Sequence, residues 1–184
     1  MEYEHIVHSF EPIFDSASQI LILGTLPSVK SRETNFYYGH KQNRFWKVLA
    51  ALFQEPIPET IDEKKHLLLR HHIAIWDVIQ SCDIKGSSDS SIKNVKPTEL
   101  RKILDASNIK QIYANGSKAG QLYKNISFHL QGWKLLFCHQ QVRQMQHGHL
   151  NVCVKHGENK VLGILLLWMF LNMEIRMHRL FFCR

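Results

Sequence analysis

The clearest hydrophobic pattern in the chain begins at residue 20. The apolar run Ile20 to Leu23 is short, rich in β-branched residues and closed by Gly24, as expected of a fully buried strand. A polar and aromatic segment follows. Pro27 and Ser28 should prevent a helix from starting directly after the strand, so the sequence predicts a loop that runs on to His40.

Apolar residues then recur at helical spacing, which predicts a helix that begins near Gln42 or Asn43; they are Phe45, Trp46, Leu49, Leu52 and Phe53. Phe45 and Trp46 are expected in the core. In open α/β sheets, ligands bind at the carboxyl ends of the strands. The strand, loop and helix therefore predict a functional site between Gly24 and Asn43.

Three further apolar runs predict strands at residues 73–79, 109–114 and 131–137. Helices are predicted after a cap at Thr60 or Asp62, after a cap at Thr98, and over residues 117–123. Strands that alternate with helices indicate an α/β fold with a mainly parallel sheet and helices on both faces. Residues 1–19 read as an N-terminal extension, in which His5 and His8 are expected to face solvent.

Composition and charge narrow the class of protein. The 184 residues suffice for one domain with a real core. Lys and Arg outnumber Asp and Glu by 23 to 16, and the resulting net charge of +7 suits a polyanionic partner such as DNA. The four cysteines are far apart, so we expect reduced thiols and no metal site. The start shows no signal peptide, and the apolar run at residues 161–171 is too short to span a membrane.

Two segments carry a resemblance to a known family. Residues 24–28 read G-T-L-P-S, and residues 36–46 read F-Y-Y-G-H-K-Q-N-R-F-W. Together they closely resemble the first motif of the hypoxanthine (deoxyinosine) DNA glycosylases of the uracil-DNA glycosylase superfamily; mismatch-specific uracil glycosylases carry a similar H-P-x-N-R-F-W. The resemblance covers about residues 5 to 137. It implies a uracil-DNA-glycosylase-like three-layer sandwich and a monomeric, cytoplasmic repair enzyme that acts on DNA without a cofactor.

The resemblance also implies roles for individual residues. Asn43 matches the catalytic asparagine of the family's H-x-x-N motif; the alternative is an ordinary helix N-cap, a position at which asparagine is favoured. Phe36, Tyr37 and Tyr38 are candidates to stack on a flipped base, with simple loop packing as the alternative. The full set of expected base- or DNA-binding residues is Gly24, Thr25, Leu26, Pro27, Ser28, Tyr37, Tyr38, Gly39, His40 and Asp77.

The segment from residue 81 to residue 97 is polar and rich in Ser, Gly and Lys. Composition alone predicts a flexible loop. The resemblance instead suggests a loop on the DNA-facing side, because similar W-D-V and G-S-x-D segments accompany the first motif in the family. Lys85, Lys93 and Lys96 would then supply charge next to phosphates.

After Phe137 the pattern changes abruptly. A family member should show a second motif here, similar to L-P-S-T-S-P-A-N, but residues 138–149 read CHQQVRQMQHGH. The codons for these residues, read one nucleotide earlier, are compatible with L-P-S-T-S-P-A-N-A-A-W-S at every position. We therefore divide the chain into an incomplete glycosylase-like domain at residues 1–137 and an out-of-frame tail at residues 138–184. The alternative is a natural, divergent tail.

Two functions follow from this reading. The first is a DNA glycosylase that hydrolyses the N-glycosidic bond of deoxyinosine, with uracil as a second candidate base, and whose activity is reduced by the missing motif. The second is a non-catalytic DNA- or nucleotide-binding remnant of the same fold.

The tail contains several scattered histidines, but their spacing matches no common metal-binding motif.

Overall fold

The computed structural model describes residues 2–126 and 135–137. The strands are Glu4–Val7 (β1), Ile20–Gly24 (β2), Ile73–Asp77 (β3), Ile79–Ile84 (β4), Lys93–Pro97 (β5), Gln111–Ala114 (β6) and Leu135–Phe137 (β7). The helices are Val29–Glu33 (α1), Phe45–Phe53 (α2), Ile61–Arg70 (α3), Arg101–Leu104 (α4) and Ser117–Ile126 (α5). The tail from residue 138 onward lies outside the described residues.

Four strands form a parallel sheet in the order β3, β2, β6, β7. Every residue of β2 and β3 is buried, which explains why both strands read as continuous apolar runs rather than as an alternating pattern. The predicted strands at residues 20–23 and 109–114 are confirmed, the latter from Gln111. Helix α3 contacts β3, and α5 contacts β6 and β7.

A second, antiparallel sheet corrects two expectations. Its order is β1, β4, β5, so the supposed N-terminal extension contains a strand and the supposed loop at residues 81–97 is mostly a hairpin. The predicted strand at residues 73–79 is divided at Val78, between β3 and β4. Register irregularities between β4 and β5 blur the alternation of polar and apolar residues that marks a strand. The sheet has a small apolar core: Ile6, Ile79, Cys82, Ile84 and Ile92.

The helices follow the predictions with two corrections. Thr60 caps α3 in a complete capping box with Glu63, as predicted. However, α1 begins directly after Ser28, whose side chain accepts a hydrogen bond from the Ser31 amide, so the predicted loop is interrupted by a helical turn. Thr98 does not cap α4; its hydroxyl donates to the main chain of β3 instead.

The main core lies on the parallel sheet and contains both aromatic residues at the start of α2. Phe45 is 2% exposed and Trp46 is 5% exposed, which confirms them as core residues.

Among the described residues, no helix is long and apolar enough to cross a membrane.

Candidate functional site

A pocket of about 180 Å³ lies where β2 and β3 end. The two strands are parallel and in register from Ile20 opposite Ile73 to Gly24 opposite Asp77, so their carboxyl ends meet at one edge of the sheet. This is the position at which open α/β sheets bind ligands. The pocket is lined by Phe10, Leu26, Pro27, Ser28, Ser31, Tyr37, Tyr38, Asn43 and Asp77.

Asp77 is the charged group of this pocket, and it is only 6% exposed. Its Oδ2 atom lies 3.0 Å from Nε2 of His8, whose side chain is 1% exposed. A carboxylate only accepts hydrogen bonds, so Nε2 carries the proton of this contact. The other carboxylate oxygen, Oδ1, accepts no hydrogen bond from the residues that the structure describes.

His8 was expected to face solvent, and this expectation is wrong. The residue follows β1, and it points to the same side as the buried Ile6, two positions earlier. Its ring packs edge-on against Phe10, with centroids 4.6 Å apart. His5, in contrast, is exposed as expected, and its Nδ1 atom lies 2.6 Å from Oδ1 of Asp83.

Gly24 permits the Asp77 carboxylate to lie against the end of β2. A methyl group built on Gly24 would lie 2.0 Å from Oδ1 of Asp77 and 3.6 Å from the hydroxyl oxygen of Tyr38. Real side chains do not approach this closely, so the glycine is required by the carboxylate beside it. The main chain holds the same junction, because the carbonyl oxygen of Gly24 accepts from the Val78 amide at 2.9 Å.

Tyr37 forms part of the wall and is held rigidly. Its hydroxyl donates to the carbonyl oxygen of Glu11 at 3.1 Å, and its own carbonyl oxygen accepts from the indole N–H of Trp46 at 3.2 Å. Phe10 packs edge-on against it, with ring centroids 4.7 Å apart. Burial, and secondarily the charge of Asp77, raises the pKa of Tyr37 far above its usual value, so its phenol stays neutral.

Tyr38, the next residue, also lines the pocket and stacks on Phe45, with ring centroids 4.0 Å apart. It adopts a left-handed backbone conformation, with φ of 50°. Its hydroxyl oxygen accepts from the side-chain amide of Asn115 at 2.5 Å. Burial and the charge of Asp77 raise the pKa of Tyr38 as well. Phe36, the third stacking candidate, instead stacks on Trp46 in the core.

Asn43 lies in the pocket lining, two residues before the start of α2, and is partly exposed. Its Oδ1 atom accepts from the Phe45 amide at 2.9 Å, which is the helix-start role that was weighed against catalysis. This contact leaves part of the hydrogen-bonding capacity of the Asn43 side chain unused. Its carbonyl oxygen can accept a second hydrogen bond, and its amide nitrogen donates to no described residue. Asn43 can therefore fix the helix start and still bind a group in the pocket.

The structure brings most of the predicted site residues together. Seven of them line the pocket: Leu26, Pro27, Ser28, Tyr37, Tyr38, Asn43 and Asp77. Gly24 is not in the lining but lies directly against the Asp77 carboxylate. Thr25, Gly39 and His40 are not part of the lining. His40 is exposed, and its Nδ1 atom accepts from the Gln42 amide at 3.1 Å.

Sequence reasoning missed four residues that shape the site: His8, Phe10, Ser31 and Asn115. The period-two pattern of Ile6 and His8 was a usable signal for the first. The others come close only through the tertiary fold. No group of three potential metal ligands is found within the described part of the chain.

Comparisons with known proteins give the same superfamily as the resemblance in the sequence, although the family match extends beyond residue 137. The family model of the Uracil DNA glycosylase superfamily matches residues 11–165. A hypoxanthine DNA glycosylase from Methanosarcina barkeri is 35% identical over 115 residues, which are 61% of this chain and 72% of that protein. A protein of the same name from Methanosarcina acetivorans is 33% identical over 118 residues, covering 63% of this chain and 75% of its own length.

A solved structure is also similar. It is the solution NMR structure of a candidate uracil DNA glycosylase from Methanosarcina acetivorans, with a TM-score of 0.56 and 32% sequence identity. The likeness covers 70% of this chain and 81% of that one. The expected fold family is confirmed at this level. The chain belongs to the uracil DNA glycosylase superfamily, a family of DNA-repair hydrolases.

Proposed function

We propose that this protein is a monofunctional DNA glycosylase that releases hypoxanthine from deoxyinosine, with uracil as a second candidate base. The pocket at the carboxyl edge of the parallel sheet, with Asn43 and Asp77 in its lining, is the observation that carries the proposal. Two relatives named hypoxanthine DNA glycosylase support it. The net charge of +7 suits a DNA partner.

The proposed reaction begins with flipping of the nucleotide, because an enzyme cannot reach the bond between base and sugar inside a stacked duplex. Cleavage gives the sugar oxocarbenium character, and the departing base gains negative charge. Catalysis then depends on placing a water molecule and on stabilising the two separated charges. Aromatic walls such as Phe10 and Tyr37 favour a planar, partly apolar ligand.

Asn43 is proposed to hold the attacking water. Its amide oxygen has one lone pair left beside the contact with the Phe45 amide, and its amide nitrogen is a free donor among the described residues. An amide orients water but does not act as a strong base. The catalytic contribution is therefore positioning rather than proton transfer.

Further members of the site are proposed from the same pocket. Asp77 contacts the flipped base, and the short segment Leu26 to Ser28 closes the pocket against the nucleotide backbone. Gly39 and His40 lie beside the lining and are proposed to contact DNA rather than the base. Lys85, Lys93 and Lys96, on or next to the β4–β5 hairpin, supply charge for phosphates.

The test is base release from a duplex that contains one deoxyinosine. Asn43→Ala should abolish release while duplex binding remains, and Gln42→Ala, an exposed neighbour outside the pocket, is the matched control. Unchanged release by Asn43→Ala would reject the proposed catalytic role.

The tail requires a separate proposal. We infer that residues 138–184 are out of frame, so the domain at residues 1–137 lacks its second motif. The abrupt change of pattern after Phe137 supports a non-catalytic, DNA-binding remnant as the second candidate function. The assay should therefore compare this chain with a version whose frame is restored after Phe137. An uninterrupted single frame through codon 138 in independent isolates would reject the frameshift.

For the whole protein we propose the three-layer sandwich of its superfamily, with helices on both faces of a central, mainly parallel sheet. The four-stranded parallel sheet and the contacts of α3 and α5 with its strands support this architecture. We further propose a cytoplasmic monomer that needs no cofactor. Gel filtration at several protein concentrations tests the oligomeric state.

A further inference from the structure

We propose that one face of the antiparallel sheet binds unpaired nucleotides of the DNA substrate. In this proposal the ring of Tyr3 stacks on a base, and three lysines contact phosphates of the same strand. The inference rests on the proposed function, since it takes DNA as the partner, and it adds a second place at which that partner is held. The outer face, as we call it, is formed by residues of β1, β4, β5 and their ends: Tyr3, His5, Val7, Asp83, Lys85, Lys93 and Lys96.

The exposed residues at β1 form a stripe on the side of the sheet that faces away from its small core. Tyr3, directly before the strand, is 42% exposed and Val7 is 54% exposed, whereas Ile6 is buried and belongs to that core. Side chains of a strand alternate between its two faces, so Tyr3, His5 and Val7 share the outer one. An exposed aromatic ring on a sheet is a surface on which a base can stack.

The strand register places two lysines beside this stripe. Asp83 of β4 pairs with His5 of β1 on one side and with Lys93 of β5 on the other. Ser81 pairs with Lys96 of β5. Residues that are directly opposite each other on neighbouring strands project to the same side of the sheet. Lys93 and Lys96 therefore lie on the outer face.

Two lysines meet at the exposed ring. Nζ of Lys85 lies 4.6 Å from the centroid of the Tyr3 ring, and Nζ of Lys93 lies 4.9 Å from it. These cation–π contacts hold both ammonium groups beside the ring without neutralising them. Neither these two lysines nor Lys96 forms an ion pair within the described part of the chain. Their charges are therefore available to phosphates.

The carboxylate on the outer face is engaged by other groups. Oδ1 of Asp83 lies 2.6 Å from Nδ1 of His5, and Oδ2 accepts from the side-chain amide of Asn94 at 2.6 Å. Asp83 thus binds its neighbours on the sheet and leaves the lysines unpaired. Three lysines against this carboxylate make the outer face positive, which suits a phosphate backbone.

The exposed ring favours unpaired nucleotides over a duplex. Within a duplex each base is covered on both faces by its neighbours, so a ring on the protein surface cannot stack on it. Unpaired nucleotides present free base faces, and proteins hold them by combining aromatic stacking with cationic contacts to the backbone.

The position of the ring indicates which nucleotides it contacts. The stripe leads toward the pocket, because Val7 is followed by His8, which contacts Asp77. Five residues of strand, at about 3.3 Å each, place Tyr3 roughly 17 Å from His8. The nucleotides on the outer face therefore flank the damaged nucleotide and are separate from it.

The test measures binding, so that it does not depend on catalysis. The full-length chain is titrated by fluorescence anisotropy with a labelled oligothymidine of about twelve nucleotides, a length within the usual range of single-strand sites. A labelled duplex of the same length is the comparison, and neither ligand contains deoxyinosine. We expect Tyr3→Ala to weaken oligothymidine binding about tenfold, as loss of one stacked base predicts, and to leave duplex affinity unchanged. Tyr3→Phe keeps the ring and should retain the affinity.

The lysines are tested through the salt dependence of oligothymidine binding. Each contact between a lysine and a phosphate of a single strand contributes about 0.7 to the slope of log affinity against log salt concentration. Separate replacement of each lysine by alanine should lower the slope by about that amount, in Lys85→Ala, Lys93→Ala and Lys96→Ala. Lys65→Ala, which removes an exposed lysine of α3, changes the net charge equally and should leave the slope unchanged. Ile57→Ala, which truncates an apolar side chain that is 54% exposed before α3, is the matched control for Tyr3→Ala.

An oligothymidine affinity that is unchanged in Tyr3→Ala, or that falls only as much as the duplex affinity, would overturn the proposal. So would the absence of oligothymidine binding by the unaltered chain. Base release from the deoxyinosine duplex is measured separately. Release together with oligothymidine binding that does not depend on Tyr3 would reject the outer face alone. Binding that depends on Tyr3 without release would keep the outer face and reject the glycosylase activity of this chain.

Discussion

Replacement of Gly24 by alanine is the most direct test of how the site is built. The added methyl carbon would lie 2.0 Å from Oδ1 of Asp77 and 3.2 Å from its Cγ. Oδ1 would have to retreat by about 1 Å to reach the shortest contact that real side chains show. The carboxylate cannot retreat freely, because His8 holds its other oxygen at 3.0 Å and both side chains are buried.

The expected cost follows from this restraint. Overpacking of a well-packed interior typically destabilises a protein by about 1–3 kcal/mol. Since Gly24 and Asp77 are paired residues of neighbouring parallel strands, strand separation cannot relieve the contact without breaking the sheet. We therefore expect a loss near the upper end, about 3 kcal/mol of the free energy of unfolding, which lowers the urea midpoint by roughly 1–2 M.

The assay is equilibrium urea unfolding of a double-mutant cycle. Asp77→Ala removes the colliding oxygen, so adding Gly24→Ala in that background should change the free energy of unfolding by less than about 1 kcal/mol. A small gain is expected there, because alanine restricts the unfolded chain. If Gly24→Ala costs as much with Asp77→Ala as without it, the carboxylate is not the reason for the glycine.

Two further predictions concern the cap of helix α3 and the Tyr37 wall of the pocket. Thr60→Ala removes one half of the capping box with Glu63 and should lower the free energy of unfolding by about 1 kcal/mol, while Thr60→Ser should retain it, as urea unfolding can show. Burial raises the pKa of Tyr37, so its proton is held more tightly in the folded state. The free energy of unfolding should therefore fall as pH rises above about 10, where the unfolded tyrosine ionises, and Tyr37→Phe should reduce that slope in unfolding curves between pH 8 and 11.

The sequence predicted those parts of the fold that depend on local pattern. The apolar run at residues 20–23 is too short for a stable helix and rich in β-branched residues, which predicts a buried strand, and Thr60 with Glu63 is a local signal for a helix start. The motif likewise placed Asn43 and Tyr38 at one site, because both residues lie in the same short segment of the chain before α2.

The parts it missed depend on distant partners. Strand β4 has a mixed surface because one of its faces covers a small core, and its pairing with β1 joins residues almost eighty positions apart, such as His5 with Asp83. No local propensity reports such pairing. For the same reason the burial of His8 could not be derived from composition; only its alternation with Ile6 indicated an inward direction.

The residue that joins the two sheets gives the last prediction. The chain leaves the parallel sheet at Asp77 and enters the antiparallel sheet at Ile79, so Val78 alone separates them. Thr98 stabilises this junction through its side chain and its main chain. Its hydroxyl lies 2.8 Å from the carbonyl oxygen of Asp77, to which it donates, and 3.2 Å from the carbonyl oxygen of Val78. Its main-chain amide donates to the carbonyl oxygen of Val78 at 3.0 Å. Thr98 itself is buried.

Thr98→Val keeps the shape of the side chain but removes the hydroxyl donor. A buried carbonyl group that loses its partner typically costs about 1–3 kcal/mol, and we expect that loss in the free energy of unfolding. Because the junction also places the Asp77 carboxylate, which we propose contacts the flipped base, base release from the deoxyinosine duplex should fall as well. Thr98→Ser keeps the hydroxyl and should preserve base release even where it lowers stability. A loss of stability in Thr98→Val with unchanged base release would show that Asp77 is positioned by His8 and not by the junction between the sheets.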